Sequence, residues 1–513
     1  MNMHRPKSLL LFLAISALLL LQMLSPNHAL SQAAKAAPQK AGAASTNTHS
    51  SSGTPATSWQ QVPIPPLHQF KPQEPRRVEL PNGLVVFLQE DHELPMIDGV
   101  IRIRGGSRDE PANKVGMISL YADAWRTGGT KSKTGDELDD FLESHAARVE
   151  TSAAGDSTTI AWTSLKESFD QVLPVVLDLL ENPEFRPDKI DLAKRQIASF
   201  ISRRNDDMDD IAQRESVKLA YGDDSPYARS AEYYTIDAVT REDLLQWRQR
   251  TVVPNNMILG ITGDFDSAAM ESTLRKAFGG LPKGEPFPKS EIAFREPKPG
   301  IYFIAKDDVN QSDISMVELG IDRHNPDYYA VSVMNELFGG GFSSRLFANI
   351  RTKLGLAYSV GGGVGTAFDH PGIVRIAMGT KSGTTAASID ALNHEINGLI
   401  KGGVTQQELK KAKDAILNSF IFEFDSNEKV LAESMRYEFY GYPLNFLEQF
   451  RAGIEKVTPA DVDRVAKKYV HPEKLAILVV GNAKDFDRDL ATFGKVTPLD
   501  ISIPQKAPGM GSK

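Results

Sequence analysis

Two side chains that could hold a polypeptide, Arg351 and Tyr358, lie on either side of Gly355. A guanidinium offers five N–H donors in a planar fork and a phenol offers one O–H, so the pair could hydrogen-bond to the backbone of a bound peptide. An isolated pair of this kind is usually a surface arginine and a half-buried tyrosine. The functional interpretation therefore depends on the residues around it.

The stretch from Gly339 to Val360, GGGFSSRLFANIRTKLGLAYSV, predicts the elements that would position the pair. Because glycine adopts positive φ at little cost, Gly339–Gly341 predict a helix end followed by a turn. Apolar residues at helical spacing over 346–350 predict a second helix. Gly355 breaks that helix, and residues 357–360 are expected to be extended. Arg351 and Tyr358 would then flank a tight corner.

This stretch closely resembles the second-half signature of the M16 peptidases, the pitrilysin or insulinase-like family that includes the mitochondrial processing peptidases. The resemblance covers about residues 76–490 and includes LPNGL at Leu80–Leu84. It implies an α+β fold of two homologous halves, each an antiparallel sheet covered by helices, which close like a clamshell around an unfolded peptide. It also implies that Arg351 and Tyr358 bind substrate opposite a zinc site carried by the first half.

The zinc site implied by the family is degenerate in this sequence. M16 enzymes carry H-x-x-E-H on a first-half helix, where two histidines bind zinc and the glutamate activates a water. Here Gly116 and the closing residues 128–130 set the register of the matching helix. The motif positions then fall on Ser119, Ala122 and Asp123. Only Asp123 could serve as a weak oxygen ligand.

The third metal ligand of the family is also missing. A downstream glutamate is expected near residues 199–201, yet residues 185–214 contain neither Glu nor His. The sequence therefore predicts no catalytic residue, no metal ligand and no cofactor in this chain. Any zinc would belong to a partner subunit.

No other constellation replaces the lost site. The chain has no cysteine, which excludes thiolate chemistry, and no two of its ten histidines lie within five residues of each other. The acidic cluster at 206–210 lacks the spacing of a calcium loop and is interpreted as a solvated face. Ser343 and Ser344 have no nearby base. A net charge of −8 argues against nucleic-acid partners.

The N-terminus has the pattern of an export signal. Arg5 and Lys7 precede an apolar run from Leu9 to Leu24, and small residues follow at 29–33. This pattern predicts a periplasmic or extracellular protein with no membrane span in the mature chain. The alternative is an uncleaved segment that anchors the chain. Residues 34–75, rich in Ala, Ser, Pro and Gln, predict a disordered linker.

An internal repeat divides the remaining chain. Ile236–Gly263 aligns without gaps with Ile454–Gly481 at an offset of 218, with seven identical positions. The helix from Asp188 matches the helix from Thr405 at nearly the same offset. The predicted segments are a signal peptide (1–33), the linker (34–75), the first half (76–285), an interdomain linker (286–299), the second half (300–495) and an irregular tail (496–513).

Three functions are compatible with these features. The favoured hypothesis is a non-catalytic subunit of a split metallopeptidase, which is inactive alone, binds unfolded peptide and complements an M16 subunit carrying H-x-x-E-H. A non-enzymatic scaffold or binding protein is the second hypothesis, although a scaffold does not need Arg351 and Tyr358. The third, an autonomous zinc endopeptidase with unorthodox ligands, conflicts with Ala122.

Overall fold

The computed structural model of the chain describes residues 73–289 and 291–505. The predicted signal peptide and the predicted linker up to residue 72 lie outside the described residues, as does the chain end from residue 506. Within the described ranges, no helix is both long enough and apolar enough to cross a membrane.

Two β-sheets and their helices make up the described part of the chain. The strands are β1 (Arg76–Glu79), β2 (Val85–Glu90), β3 (Met96–Arg104), β4 (Arg148–Ala153), β5 (Ser157–Leu165), β6 (Met257–Gly263), β7 (Gly300–Ala305), β8 (Gln311–Leu319), β9 (Ile321–Asp322), β10 (Ala357–Ala367), β11 (Pro371–Lys381), β12 (Ala476–Gly481) and β13 (Val496–Pro498). The α-helices are α1 (Met117–Thr127), α2 (Gly135–Ser144), α3 (Phe169–Glu181), α4 (Pro187–Arg203), α5 (Met208–Tyr221), α6 (Tyr233–Asp237), α7 (Arg241–Thr251), α8 (Ser267–Phe278), α9 (Tyr328–Asn335), α10 (Thr385–Lys401), α11 (Gln406–Ser419), α12 (Asn427–Tyr440), α13 (Phe446–Lys456) and α14 (Pro459–Tyr469).

The two sheets share one topology. The first has the strand order β1-β2-β6-β3-β5-β4, and the second has β13-β7-β12-β8-β11-β10-β9. Five strands therefore correspond in order, β2-β6-β3-β5-β4 with β7-β12-β8-β11-β10. This correspondence confirms the predicted fold class of two homologous α+β halves.

The first sheet is antiparallel except for one pair, as predicted, whereas three of the six strand pairings in the second sheet are parallel. One parallel pair lies at the corresponding place in both sheets. In the first sheet β2 and β6 are parallel, and in the second β7 and β12 are parallel. β6 and β12 each follow a long helical region of their own half. Such a crossover returns the chain in its original direction, whereas a short hairpin would reverse it.

The repeat recognised in the sequence is a repeated helix start followed by a buried strand. At α7, the Thr240 N–H donates to the Asp243 carboxylate over 2.8 Å and the Asp243 N–H donates to Thr240 Oγ1 over 3.3 Å. Thr458 and Asp461 make the same reciprocal pair at α14. Each pair is a capping box that satisfies N–H groups without an intrahelical partner.

The two halves exchange one helix with each other. α12 from the second half packs on β2 and β6 of the first sheet, where Leu431, Met435 and Phe439 cluster with Phe87 and Ile258. Conversely, α5 from the first half packs on β8 and β12 of the second sheet. Its contacts form a second apolar cluster of Ile211, Ala212, Ile304, Leu478 and Val480.

This exchange explains why the central strands are apolar throughout. Every residue of β6 and of β12 is buried, because helices of the strand's own half cover one face and the exchanged helix covers the other. Gly260 in β6 lets α12 approach closely. A Cβ there would lie 2.3 Å from the Met435 sulfur.

The halves are closed against each other in the structure. Polar contacts supplement the two apolar clusters: Arg77 donates to both carboxylate oxygens of Glu438 at 2.8 and 2.9 Å, and Arg108 pairs with Asp369 at 2.8 Å. Separating the halves would expose both clusters to water, at about 25 cal/mol for each Å² of apolar surface. The two halves of this chain thus meet in a packed interface.

The predicted tail and interdomain linker are partly structured. The tail was expected to be irregular from residue 496, but its first three residues form β13, which pairs in parallel with β7. Its alternation of apolar and polar residues is too short to indicate a strand. The described residues of the interdomain linker, 286–289 and 291–299, are in neither helix nor strand, although Phe294 stacks on Tyr227 with ring centroids 5.6 Å apart.

Candidate functional site

The first-half part of the candidate site is the helix α1. Gly116 precedes it with φ of 98°, a left-handed conformation that favours glycine. The buried Glu110 carboxylate accepts the N–H groups of Gly116 and Ile118, each at 3.0 Å. The apolar face of α1 is anchored by Trp125, whose indole N–H donates to the Leu179 carbonyl at 2.7 Å.

The three degenerate motif residues share one side of α1. Ser119 and Asp123 are exposed, whereas Ala122 is buried. The Ala122 carbonyl accepts a 2.6 Å hydrogen bond from Thr151 Oγ1 of β4, so this side of the helix faces the edge strand of the first sheet. Desolvation by neighbouring protein atoms raises the pKa of the Asp123 carboxyl.

These residues do not fit a catalytic zinc. Such a site needs three or four protein ligands, and the alanine side chain at position 122 neither binds metal nor transfers a proton. On α4, which packs beside α1, the expected third ligand is replaced by Ser199, Phe200 and Ile201, and Phe200 is 77% exposed. Across the described residues, no three His, Asp or Glu side chains are grouped to hold a metal ion.

The second-half part of the site is the glycine corner predicted from the sequence. α9 continues into a π-helical turn, Glu336–Gly340, and a second helical segment ends with π-helical geometry at Phe347–Lys353. The chain then turns at Gly355, where φ is 64°, and enters β10. The order of helix, turn, helix, turn and strand is as expected.

The reason for the glycines at 339–341 differs from the prediction. None of the three has positive φ. Instead, the chain passes close to other groups: a Cβ at Gly339 would lie 2.3 Å from the Gly362 carbonyl oxygen, and one at Gly340 would lie 2.8 Å from the Glu336 carboxylate. Lack of room beside the Gly362 backbone, rather than a positive φ, therefore requires glycine at position 339.

The structure places Arg351 and Tyr358 on the exposed surface of this corner. The Arg351 guanidinium lies over the Phe347 ring, 4.8 Å from its centre, and no carboxylate in the described part of the chain pairs with it. Tyr358 is 78% exposed. The corner itself is held by the Leu356 N–H, which donates to the Ile350 carbonyl at 3.2 Å. Both groups are therefore available to an external ligand.

Two aromatic residues at this corner were not predicted. Phe342 is 55% exposed, and its ring meets Phe347 edge-on at 4.9 Å. The spacing of four between Phe347 and Arg351 could have indicated the stacked pair, because residues four apart share a helix face. Nothing in the local pattern distinguishes Phe342 from a core residue.

The side chains of the two parts of the candidate site are not bonded to each other. Among the described residues, no hydrogen bond or ion pair joins Ser119 or Asp123 to Arg351 or Tyr358. The first part offers one carboxylate and one hydroxyl, and the second offers a stacked guanidinium and a phenol. Together they supply groups that bind, but no metal-activated water.

Family descriptions and individual relatives both match this chain to the M16 peptidases. The family description "Insulinase (Peptidase family M16)" matches residues 85–229, and "Peptidase M16 inactive domain" matches residues 238–416. The "Non-peptidase homolog YmxG" of Helicobacter pylori is 26% identical over 414 residues, which is 78% of this chain and 92% of that protein. An "Uncharacterized zinc protease" of Rickettsia felis is 25% identical over 363 residues, covering 69% of this chain and 84% of the relative.

Solved structures show the same fold. The crystal structure of a peptidase M16 inactive domain from Pseudomonas fluorescens has a TM-score of 0.72 and 26% identity, covering 80% of this chain and 98% of that chain. A protease from Helicobacter pylori has a TM-score of 0.71 at 20% identity, covering 80% and 100%. The chain belongs to the peptidase M16 family, as the stretch at 339–360 predicted, and the matches to an inactive domain and to a non-peptidase homologue support an inactive member of that family.

Proposed function

We propose that this chain is the peptide-binding, non-catalytic subunit of a two-chain M16 metallopeptidase. One contrast carries the proposal: Ala122 stands where the family motif places the residue that activates water, while Arg351 and Tyr358 are exposed and have no hydrogen-bond or ion-pair partner among the described residues. A guanidinium and a phenol held at one corner can donate to a peptide carbonyl or to the oxyanion formed as water attacks. The metal and its ligands would come from a partner carrying H-x-x-E-H.

The closed interface between the two halves supports a partner. Because α5 and α12 hold both halves together through apolar clusters, a chamber around an unfolded peptide would form between this chain and a second protein. The second candidate function is a scaffold that never contacts substrate. It is favoured by the name of the Helicobacter pylori relative, a non-peptidase homologue.

The decisive experiment mixes the chain with an H-x-x-E-H partner and follows cleavage of unfolded peptides. We expect little activity from either chain alone and much more from the mixture. Tyr358→Phe and Arg351→Ala should each lower kcat by about 10²–10³, the usual loss when an oxyanion donor is removed, without dissolving the complex. Arg203→Ala is the matched control, since that side chain is 77% exposed and lies on α4.

Full activity of the partner alone, unchanged by these variants, would favour the scaffold instead.

We also propose export with cleavage between Ala29 and Ala34, on the basis of the apolar run and the small residues that follow it. N-terminal sequencing of the mature protein tests this. An intact Met1 in the membrane fraction would indicate an anchor.

A further inference from the structure

A cleft of about 470 Å³ opens in the second half, beside the glycine corner. It lies between the helical segment Phe347–Lys353 and the helices α10 and α11. Asn349 and Lys353 of that segment line it, whereas Phe347 and Arg351 do not. The cleft is therefore distinct from the exposed surface that carries Arg351 and Tyr358.

Four charged side chains of the cleft already have hydrogen-bond partners within it. Arg345 donates to the Glu408 carboxylate at 2.8 Å. Asn349 donates to Glu395 at 2.9 Å and accepts from Lys353 Nζ at 2.7 Å, so it bridges an acid and a base.

Glu336 is different. It has no hydrogen-bond or ion-pair partner for its carboxylate in the described part of the chain, and it is folded back against Gly340 and Gly341. Burial raises the pKa of this carboxyl. Lys411 also lines the cleft, but its side chain is exposed to solvent.

The internal repeat shows which space in the first half corresponds to this cleft. In the first half, Lys189 of α4 pairs with Asp136 of α2 at 3.0 Å. At the equivalent place in the second half, Glu408 of α11 pairs with Arg345 at 2.8 Å, with the charges reversed. The same two elements are thus tied together in both halves, beside the glycine turns at 128–130 and 339–341.

In the first half an arginine binds the glycine turn. Arg186, the residue before α4, donates to the carbonyl oxygens of Gly128 and Thr130 in the glycine turn. The residue before α11 is Thr405, whose hydroxyl caps the helix and cannot reach into the cleft as a guanidinium does. The second half therefore has the cleft but not the arginine, and it has an unpaired carboxylate, Glu336, where the first half has the buried Trp125.

We propose that the cleft binds the guanidinium of an arginine side chain from an unfolded polypeptide, with Glu336 as its counter-ion. The choice of a polypeptide rests on the proposed function. The choice of arginine rests on Arg186, because a planar guanidinium can pair with a carboxylate through two N–H groups and also donate to backbone carbonyls. Lysine, a compact single charge, should bind more weakly.

The test measures binding of fluorescent peptides to the full mature chain without any partner. The peptides are unstructured and identical except at one position, which is arginine, its neutral isostere citrulline, or lysine. We expect the arginine peptide to bind at least tenfold more tightly than the citrulline peptide. Glu336→Gln should remove that preference while leaving citrulline binding unchanged.

A second pair of variants keeps the test independent of Glu336. Thr405→Arg should place an internal guanidinium in the cleft, at the position that corresponds to Arg186, and reduce the arginine preference at least tenfold. Thr405→Ala loses the same helix cap without supplying a guanidinium and should retain the preference. Far-ultraviolet circular dichroism of each variant verifies folding.

Equal affinity for arginine and citrulline, or an unchanged preference in folded Glu336→Gln, would overturn the proposal. Arg351→Ala separates it from the proposed function. If Arg351→Ala abolishes binding of all peptides while Glu336→Gln changes nothing, the exposed corner binds peptide and the cleft does not. If the arginine preference depends on Glu336 and peptide binding is unchanged in Arg351→Ala, the cleft binds the arginine side chain and the exposed corner does not contribute to peptide binding.

Discussion

Asp313 is a buried carboxyl whose replacement should stabilise the protein at neutral and alkaline pH. It lies in β8, is 8% exposed, and accepts one hydrogen bond, from Ser315 Oγ at 3.2 Å. Burial raises its pKa from 3.8 to about 7, Asp209 on α5 reinforces the increase, and Arg375 on β11 opposes it. The neutral acid is therefore the form that the fold accommodates.

The sign and size of the effect follow from proton linkage. Below about pH 4 the carboxyl is protonated in both folded and unfolded chains and has no effect. Between pH 4 and 7 the folded protein keeps a proton that the unfolded chain releases, so the free energy of unfolding falls as pH rises. With 1.36 kcal/mol for each pH unit between 3.8 and about 7, the loss is on the order of 4 kcal/mol above pH 7.

Asp313→Asn cannot ionise and should avoid this loss. Urea unfolding at pH 4.5 and pH 8.5 gives the comparison, with an expected gain for the variant of roughly 1–3 kcal/mol at the higher pH, after allowing for the altered contact with Arg375. Asp209→Asn is the companion variant, which should move the pH window downward. A difference between wild type and Asp313→Asn that is the same at both pH values would show that Arg375 keeps Asp313 ionised, and would refute the reasoning.

Three further predictions concern side-chain packing, hydrogen bonds to backbone carbonyls and metal content. Gly260→Ala should lower the free energy of unfolding by about 1–3 kcal/mol, since the new Cβ would lie 2.3 Å from the Met435 sulfur. A Cβ at Gly280 would have no atom within 4 Å, so Gly280→Ala should leave the urea titration unchanged. Arg186→Met should lower the free energy of unfolding by about 2 kcal/mol or more, because it leaves carbonyls of the 128–130 turn without a donor. Arg195, which is exposed on α4, provides the control, and Arg195→Met should cause no such loss. Equal losses in the two variants would contradict the reasoning. The isolated mature chain should hold well below one zinc per molecule after dialysis, as measured by elemental analysis, and a stoichiometric zinc that is lost in Asp123→Ala would defeat the interpretation of Ala122.

The parts of the fold that repeat locally could be predicted from sequence. Thr240 with Asp243 and Thr458 with Asp461 encode helix starts by themselves, and the apolar strands that follow need no knowledge of the partner half. The corner at Arg351 was predicted for the same reason, since Gly355 and the helical spacing before it are local signals.

The features that depend on the other half could not be predicted. α5 starts at Asp207, whose side chain caps it, but its apolar residues Ile211 and Ala212 face the second sheet and not the core of their own half. The cleft beside Glu336 likewise could not be predicted from the sequence. The repeat aligns Thr405 with Arg186, but the sequence does not show that Arg186 binds the glycine turn of its half.

The exchange of α5 and α12 also has a consequence for the order in which the chain is made. Phe87 and Ile258 on the first sheet are covered by Leu431, which is synthesised 173 residues after Ile258. Until then an apolar sheet face stays open to water and to other chains, and contacts so distant in sequence form slowly. A nascent or truncated chain that ends before Asn427 should therefore aggregate or bind chaperones, and the first half should become resistant to protease only when nearly the whole protein has emerged.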